Sequence, residues 1–523
     1  MPLIQLPPTR SSKEQDLAIA KKANKRAKAT TAVRGGSGIA SQIARVKDLV
    51  FKNLGAYEKE TVLIRDELEL SNYITNAIAT GEIAIDTETT GLDPMLDTCV
   101  GVCLYSEGQK SAYIPMNHIS YITMEKVDNQ LPKEVVAKYL QKIADTATSV
   151  IMFNASFDIR VIKNQIGVRL HCYWDCQLAS RLLNENEQKG EGGLKALHRK
   201  YVLNNQEDAF SFTTLFDNIK FNLVPINVGY LYAAHDAKIT YELYQFQKQY
   251  LYYEPDCALG DRDGLNGVAY TFFNIEMPCV DVVVDMEDMG VALDVDYAKE
   301  LSVKYNKILG EKLSTFYGTL EPYEGKIRSY RRNNPDCKLD DPVNIASSDQ
   351  LSVLLYQIVG LEPKVFDKKT GMPIYKTGEE ILSLYDDPIC KAILEWRGIS
   401  KLISTYIDKL PRCLNPNDHR VHCKFNQYGA DTGRMSSSDP NLQNIPSHNK
   451  DIRKMFVATS REYIVEDRDN CFLVNRWCEV ETPCGFVSAS RLQDGDVLLV
   501  DNNETVISKV EVLVDKNQLK LYC

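Results

Sequence analysis

The chain has 523 residues, 44% of them hydrophobic and 25% charged, with a formal net charge of −10. Length and balance predict about three folded domains and exclude a fibrous or wholly disordered chain. The acidic total does not exclude a nucleic-acid partner, because phosphate contacts depend on local basic patches and an acidic metal site adds negative charge of its own.

In chain order, the leader MPLIQLPPTRSSKEQ lacks the charged, apolar and small-residue layout of a signal peptide, and no run of about 18 apolar residues follows. The expectation is a cytoplasmic chain with no membrane contact. Residues 1–55, rich in Lys, Arg, Ala, Gly and Ser, read as a flexible basic arm. Residues 56–250 alternate strand and helix patterns and predict an α/β domain. Residues 251–470 open on an apolar-periodic stretch, GVAYTFFNIEMPCVDVVVDMEDMGVALD, and read as mostly helical. Residues 471–523 turn to short β-rich runs, VLLV and TVISKVEVLV, between TPCG, DGD and DNN turns.

Acidic residues recur at the edges of apolar elements in 56–250. In IAIDTETTG, Asp86 and Glu88 sit two apart on a strand, so both carboxylates leave from one face. VIMFNASFDIRVI places Asn154 and Asp158 after a second apolar strand. YLYAAHDAKITYEL places Tyr232 four residues before Asp236 on one helical face. Hard carboxylate oxygens suit divalent cations, and three converging clusters predict a site for two Mg²⁺ or Mn²⁺ ions that cleaves phosphodiesters.

These segments, with YWDCQLASRLLNENEQKGEGGLKALHRKYV between the second and third, resemble the 3′–5′ exonuclease domain of the DNA polymerase I family, the tyrosine-using branch of the DEDD nucleases. The resemblance implies a ribonuclease H-like fold, Asp86, Glu88, Asp158 and Asp236 as metal ligands, and Tyr232 orienting the attacking water or the scissile phosphate. The histidine-using branch has its His five positions before the last Asp, where this chain has Leu231. His235 is then a helix neighbour rather than a base.

Further on, FNIEMPCVDVVVDMEDMGVALD and ILEWRGISKLISTYIDKLP resemble the entry and thumb helix of family A polymerases. FNQYGADTGRMSSSDPNLQNIP, Phe425 to Pro446, offers an Arg and several amides on a turn-rich stretch suited to minor-groove acceptors and phosphates. It resembles the family's primer–template contact, which implies DNA-binding roles for Arg434, Asn441 and Gln443. In MFVATSREYIVEDRDN, Phe456-Val457-Ala458 and Tyr463 lead to Asp469 as the candidate polymerase metal ligand, with Asp467 competing. No fingers helix and no second palm carboxylate follow, so a lone polymerase activity is not expected.

The tail begins at Cys471 and carries T-P-x-G at Thr482–Gly485 and L-x-x-G-D-x-V at Leu492–Val497. It resembles the N-terminal part of an intein, a small all-β fold. That resemblance implies attack by the Cys471 sulfur on the Asn470 carbonyl. Cys478 is an alternative start. The combined expectation is the N-terminal half of a split replicative or repair DNA polymerase with a proofreading exonuclease, from a bacterial or phage-infected cell. It would trans-splice with a C-terminal half bearing the complementary C-intein, and bind primer–template and single-stranded 3′ ends. A stand-alone exonuclease with a DNA-holding polymerase remnant, and a non-catalytic DNA-binding assembly module, are the alternatives.

Overall fold

The computed structural model describes residues 38–457, apart from 184–191, 206–211, 217–218, 338, 428 and 431, and beyond them the backbone of seven strands. The chain divides into two compact units. The first holds the described residues up to Asp288 together with the re-entrant stretch Phe425–Ser437. The second holds Met289–Lys424 and the residues from Ser438 onward.

A six-stranded mixed sheet organises the first unit, in the order β1-β4-β3-β2-β5-β6. Its strands are Thr61–Leu63 (β1), Glu82–Thr89 (β2), Cys99–Tyr105 (β3), Ser111–Pro115 (β4), Ser149–Met152 (β5) and Trp174–Asp175 (β6). The first three long strands, β2 to β4, run antiparallel in sequence, and β5 and β6 join parallel. A register shift between Glu88 and Thr89 disturbs the β2–β3 ladder near the end of β2. Gly101 pairs with Glu88 there, and a Cβ at Gly101 would lie 2.4 Å from the Tyr113 hydroxyl, so only glycine fits.

Helices cover both faces. The longer helices are α1 (Ile39–Leu54), α2 (Glu67–Thr80), α3 (Lys133–Ala144), α4 (Ala155–Val161), α5 (Cys176–Leu183), α6 (Leu194–Tyr201) and α7 (Ile226–Gln247), with a short one at Phe212–Phe216. On one face, Leu70, Ile74 and Ala77 of α2 and Val136, Leu140 and Ile143 of α3 meet Ile83, Ile85 and Val102 of the sheet. On the other, Leu231, Ala233, Ala234 and Ala237 of α7 pack with Val100, Cys103 and Tyr113. The small residues of YAAHDA let α7 approach the sheet closely.

The expected basic arm is corrected at its C-terminal end. Residues 39–54 form α1, whose Ile43, Val46, Val50 and Leu54 are buried against that second face. Apolar residues spaced three or four apart make it amphipathic, and each buried side chain contributes about 1.5–3 kcal/mol. Residues 1–37 of the arm lie outside the described residues.

The first unit also extends past the expected boundary at 250. Leu265–Met289 (α8, with a π-turn at Phe272–Glu276) is the one described helix with the length and hydropathy of a membrane span. Phe272, Met277, Val280 and Val284 join the first unit's core, and four of its acids are ion-paired: Asp281 and Asp285 with Arg169, Glu287 and Asp288 with Arg160. A helix so engaged is a core helix of this unit.

Before residue 458 the second unit is mostly helical, around Val295–Leu320 (α9) and Pro388–Leu402 (α10). Asp294 and Asp387 cap their N-termini, accepting from the backbone of Tyr297, and of Ile389 and Cys390. The remaining strands before residue 458 are Val291–Leu293 (β7), Arg420–Val421 (β8), Lys424–Asn426 (β9), Ser436–Ser438 (β10) and Phe456–Val457 (β11). Of these, β11, β7 and β8 form a three-stranded sheet.

The strands beyond 457 are Glu462–Glu466 (β12), Cys471–Asn475 (β13), Glu479–Thr482 (β14), Gly485–Ser488 (β15), Val497–Val500 (β16), Asn503–Val506 (β17) and Lys509–Leu513 (β18). Thr482 pairs with Gly485, closing a hairpin where the T-P-x-G turn was expected. The boundary drawn between 470 and 471 falls inside another hairpin: β12 pairs antiparallel with β13, from Glu462↔Asn475 to Glu466↔Cys471, and on its other edge with β18.

Candidate active site

Three segments distant in sequence converge near the end of β2. Thr87, between Asp86 and Glu88, donates its backbone N–H (2.9 Å) and its hydroxyl (2.6 Å) to one carboxylate oxygen of Asp158 on α4. Helix α4 is started by Asn154 in the left-handed region (φ 63°) and by Asp175 of β6, which accepts from the N–H of Asn154 (3.1 Å) and Ala155 (2.8 Å). That acceptor at the helix N-terminus fixes where Asp158, one turn later, must lie.

Asp236 and Tyr232 stand one turn apart on α7 and share a single cation. Lys195 Nζ, from α6, donates to Asp236 Oδ2 (2.6 Å) and to the Tyr232 hydroxyl oxygen (2.7 Å), and lies 4.2 Å from the Tyr232 ring centre. Tyr232 is held edge-on against Phe216, ring centres 5.0 Å apart. Asp236 Oδ1 is buried without a hydrogen-bond partner among the described residues.

The electrostatics follow from crowding acids in a dry place. Burial, then the charges of Asp158, Asp236 and Glu88, holds the Asp86 carboxyl well above its usual range, and burial, then Asp236, does the same for Glu88. Burial pushes Asp158 up to about 7 despite the two bonds from Thr87. Lys195 opposes the rise at Asp86 and Glu88. Burial and the neighbouring carboxylates also keep the Tyr232 phenol protonated.

Such a cluster fits a divalent cation: four carboxylates from three segments, mutual repulsion, and one orphaned buried oxygen. Cys103, directly opposite Asp86 on β3, has its sulfur within 4.8 Å of ligand atoms of Asp86 and Glu88. Burial drives its thiol strongly upward, so it remains a neutral, soft group beside hard oxygen ligands.

All five residues expected at this site are therefore brought together. Sequence reasoning missed Lys195, Thr87, Asp175 and Cys103. The lysine lies inside the stretch GLKALHRKYV, but its reach becomes evident only once α6 is docked on α7. His235 packs its ring on Tyr57 (4.5 Å), and burial lowers it to about 4, in keeping with a helix neighbour.

The other expected sites are less complete. Arg434 is exposed in the first unit's re-entrant stretch, while Asn441 and Gln443 are exposed in the second unit. There Asn441 Oδ1 accepts from the N–H of Gln443 and Asn444, both 3.1 Å, shaping a tight polar turn. Asp467, Asp469 and Asn470 lie outside the described residues, as does Cys478. Cys471 is described only as the first backbone position of β13.

Residues 61–250 match the family model described as 3′-5′ exonuclease, and residues 321–470 match DNA polymerase family A. Among similar proteins, the DNA polymerase I of Chloroflexus aurantiacus is 30% identical over 414 residues, covering 76% of this chain and 39% of that protein. The DNA polymerase I of Pseudomonas aeruginosa is 31% identical over 394 residues, 72% of this chain and 38% of that one. The chain thus spans about two fifths of the length of these relatives. A solved structure, the POL domain of Pol1 from M. smegmatis in complex with DNA primer-template and dNTP, aligns with TM-score 0.54 at 17% identity. The alignment covers 78% of this chain and 60% of that one, a likeness of fold.

Proposed function

From a DNA polymerase I-like chain, with a 3′–5′ exonuclease domain and a family A polymerase region in one polypeptide, we propose that residues 56–250 remove nucleotides from DNA 3′ ends in a metal-dependent reaction. The observation that carries this reading is the convergence of Asp86, Glu88, Asp158 and Asp236, with Tyr232, at one buried acidic cluster. Those four carboxylates are the metal ligands in this reading. Two Mg²⁺ or Mn²⁺ ions, when bound by these carboxylates, would supply an activated water and charge neutralisation for the leaving 3′-oxygen. The protein's own part is positional: Thr87 fixes Asp158, burial excludes bulk water, and Tyr232 steadies the reacting phosphate or water.

The test is degradation of a 5′-labelled single-stranded oligonucleotide by the full chain with Mg²⁺. Activity is expected to vanish with chelator and to fall by more than about 10²-fold in Asp86→Ala. Cleavage indifferent to both would refute the assignment. Activity dependent on Asp86 would also exclude the non-catalytic assembly module.

Downstream of the nuclease, residues 251–470 serve in the finer reading as a thumb and partial palm that hold primer–template through Arg434, Asn441 and Gln443, with Asp469 as the first polymerase metal ligand. Residues 471–523 serve as the N-terminal part of a split intein. Cys471 Sγ attacks the Asn470 carbonyl, the C–N bond breaks, a thioester forms and the Cys471 amine is freed as the proton moves to nitrogen. A partner chain with the C-intein and the rest of the polymerase then completes the enzyme. Support comes from the family A match ending at residue 470, directly before Cys471, and from the β-strand character of the described tail residues. Peptide mass spectrometry on the native source is expected to find a peptide that runs through Asp469-Asn470 into a residue other than Cys471.

The β12–β13 hairpin favours a second reading, a stand-alone exonuclease whose tail stays attached to a DNA-holding remnant. Recovering only uninterrupted Asn470-Cys471 peptides would select it.

A further inference from the structure

Lys195 brings a positive charge into the acidic cluster, beside Asp236 and Tyr232. Its placement is built: α6 is anchored on α7 by buried Leu197 and by His198 Nε2, 2.7 Å from a Glu242 carboxylate oxygen. Lys195 therefore enters the cluster from a fixed base. An ammonium group has three donors and no acceptor. Its bond to the Tyr232 oxygen can run only one way, with Lys195 donating and the phenol oxygen accepting. The phenol's own proton must then point elsewhere.

We infer that Lys195 is a positioning residue for cleavage: by donating into the Tyr232 oxygen it fixes the phenol as an outward hydrogen-bond donor to the scissile phosphate. This rests on the nuclease reading and deepens it. The Tyr232 proton is left to a non-bridging oxygen of a phosphate bound at the cluster. Negative charge accumulates on that oxygen in the transition state, so a donor there is worth more than in the ground state. A donor placed on the attacking water would instead draw on the lone pair that must form the new bond. Lys195 thus confines Tyr232 to the role of donor, and its positive charge strengthens the phenol in that role.

A double-mutant cycle on the full chain tests this, reading kcat and KM with Mg²⁺ and a single-stranded oligonucleotide. Lys195→Met and Tyr232→Phe are each expected to lower kcat by about 10²-fold with KM changed less than about threefold. The double variant should be no slower than the slower single variant, because one residue acts through the other. Lys195→Arg, which keeps a charged donor, should recover most of the rate. If Lys195→Met does not fold, Lys195→Ala, which also removes the donor, replaces it in the same cycle. Multiplying effects in the double variant, or a Lys195 variant as fast as wild type, would overturn the inference while leaving the nuclease reading intact. A wild-type chain inert with Mg²⁺ would overturn both.

Discussion

Single side chains in the first unit have consequences that ordinary titration can read. His118 is buried between the Tyr113 hydroxyl (2.7 Å from Nε2) and the Val224 carbonyl (2.9 Å from Nδ1). A carbonyl only accepts, so Nδ1 carries the proton and Nε2 accepts from Tyr113, a fully satisfied neutral ring. Burial lowers His118 from 6.5 to about 4. Between those values the unfolded chain binds the proton and the folded one does not, so this contribution is complete above pH 6.5 and is lost as pH falls toward 4. Its size is on the order of 3 kcal/mol. Urea unfolding from pH 7 to 4 should show a shallower stability loss in His118→Asn than in wild type; equal slopes would mean that His118 is not held neutral. At this scale the clustered acids and tyrosine were legible and their supports were not. Asp86 and Glu88 announce themselves by a two-residue period, and Tyr232 and Asp236 by a helical turn. Lys195, Thr87 and Asp175 act through contacts across 20 to 71 residues that no local pattern encodes.

Among elements, the junction between α4 and α8 depends on buried charge. Arg160, two residues after Asp158, bonds Glu287 Oε2 and Asp288 Oδ1, both at 2.7 Å, and both Arg160 and Glu287 side chains are only 4% exposed. Glu287 Oε1 also accepts from the Phe425 N–H, tying in the start of the re-entrant stretch. Removing one partner strands the others in a dry setting, so Arg160→Met should cost about 3–5 kcal/mol in denaturant unfolding. Arg160→Met combined with Glu287→Met should cost less than the two single changes summed. A loss under about 1 kcal/mol for Arg160→Met would mean that water reaches the pair. The run MPCVDVVVDMEDMG disclosed a helix at once, but its acids gave no hint that they serve as ion-pair partners. The arm shows the opposite failure. Its basic composition hid the Ile43, Val46, Val50 and Leu54 stripe of α1, because scattered apolar residues in a Lys-rich stretch read as tail until a sheet face lies opposite them.

For the molecule as a whole, the order of the exonuclease-like and polymerase-like regions along the chain was readable because their motifs are local and long. The true extent of each compact unit was not, since Phe425–Ser437 returns to the first unit from far downstream. The split reading assigns separate chemistry to the two ends of the chain. Cys471→Ala should therefore abolish ligation to a C-terminal half while leaving 3′-end degradation unchanged, read by gel mobility and oligonucleotide assay on one preparation. Loss of both activities would mean that the boundary between nuclease and tail is wrongly drawn. The measurement that reaches the central claim most directly is anomalous diffraction from crystals of the full chain soaked in Mn²⁺. Two peaks about 3.5–4 Å apart among Asp86, Glu88, Asp158 and Asp236, with Lys195 released from Asp236 and still on Tyr232, are the predicted result. A cluster that takes up no metal, with Lys195 unmoved, would contradict it.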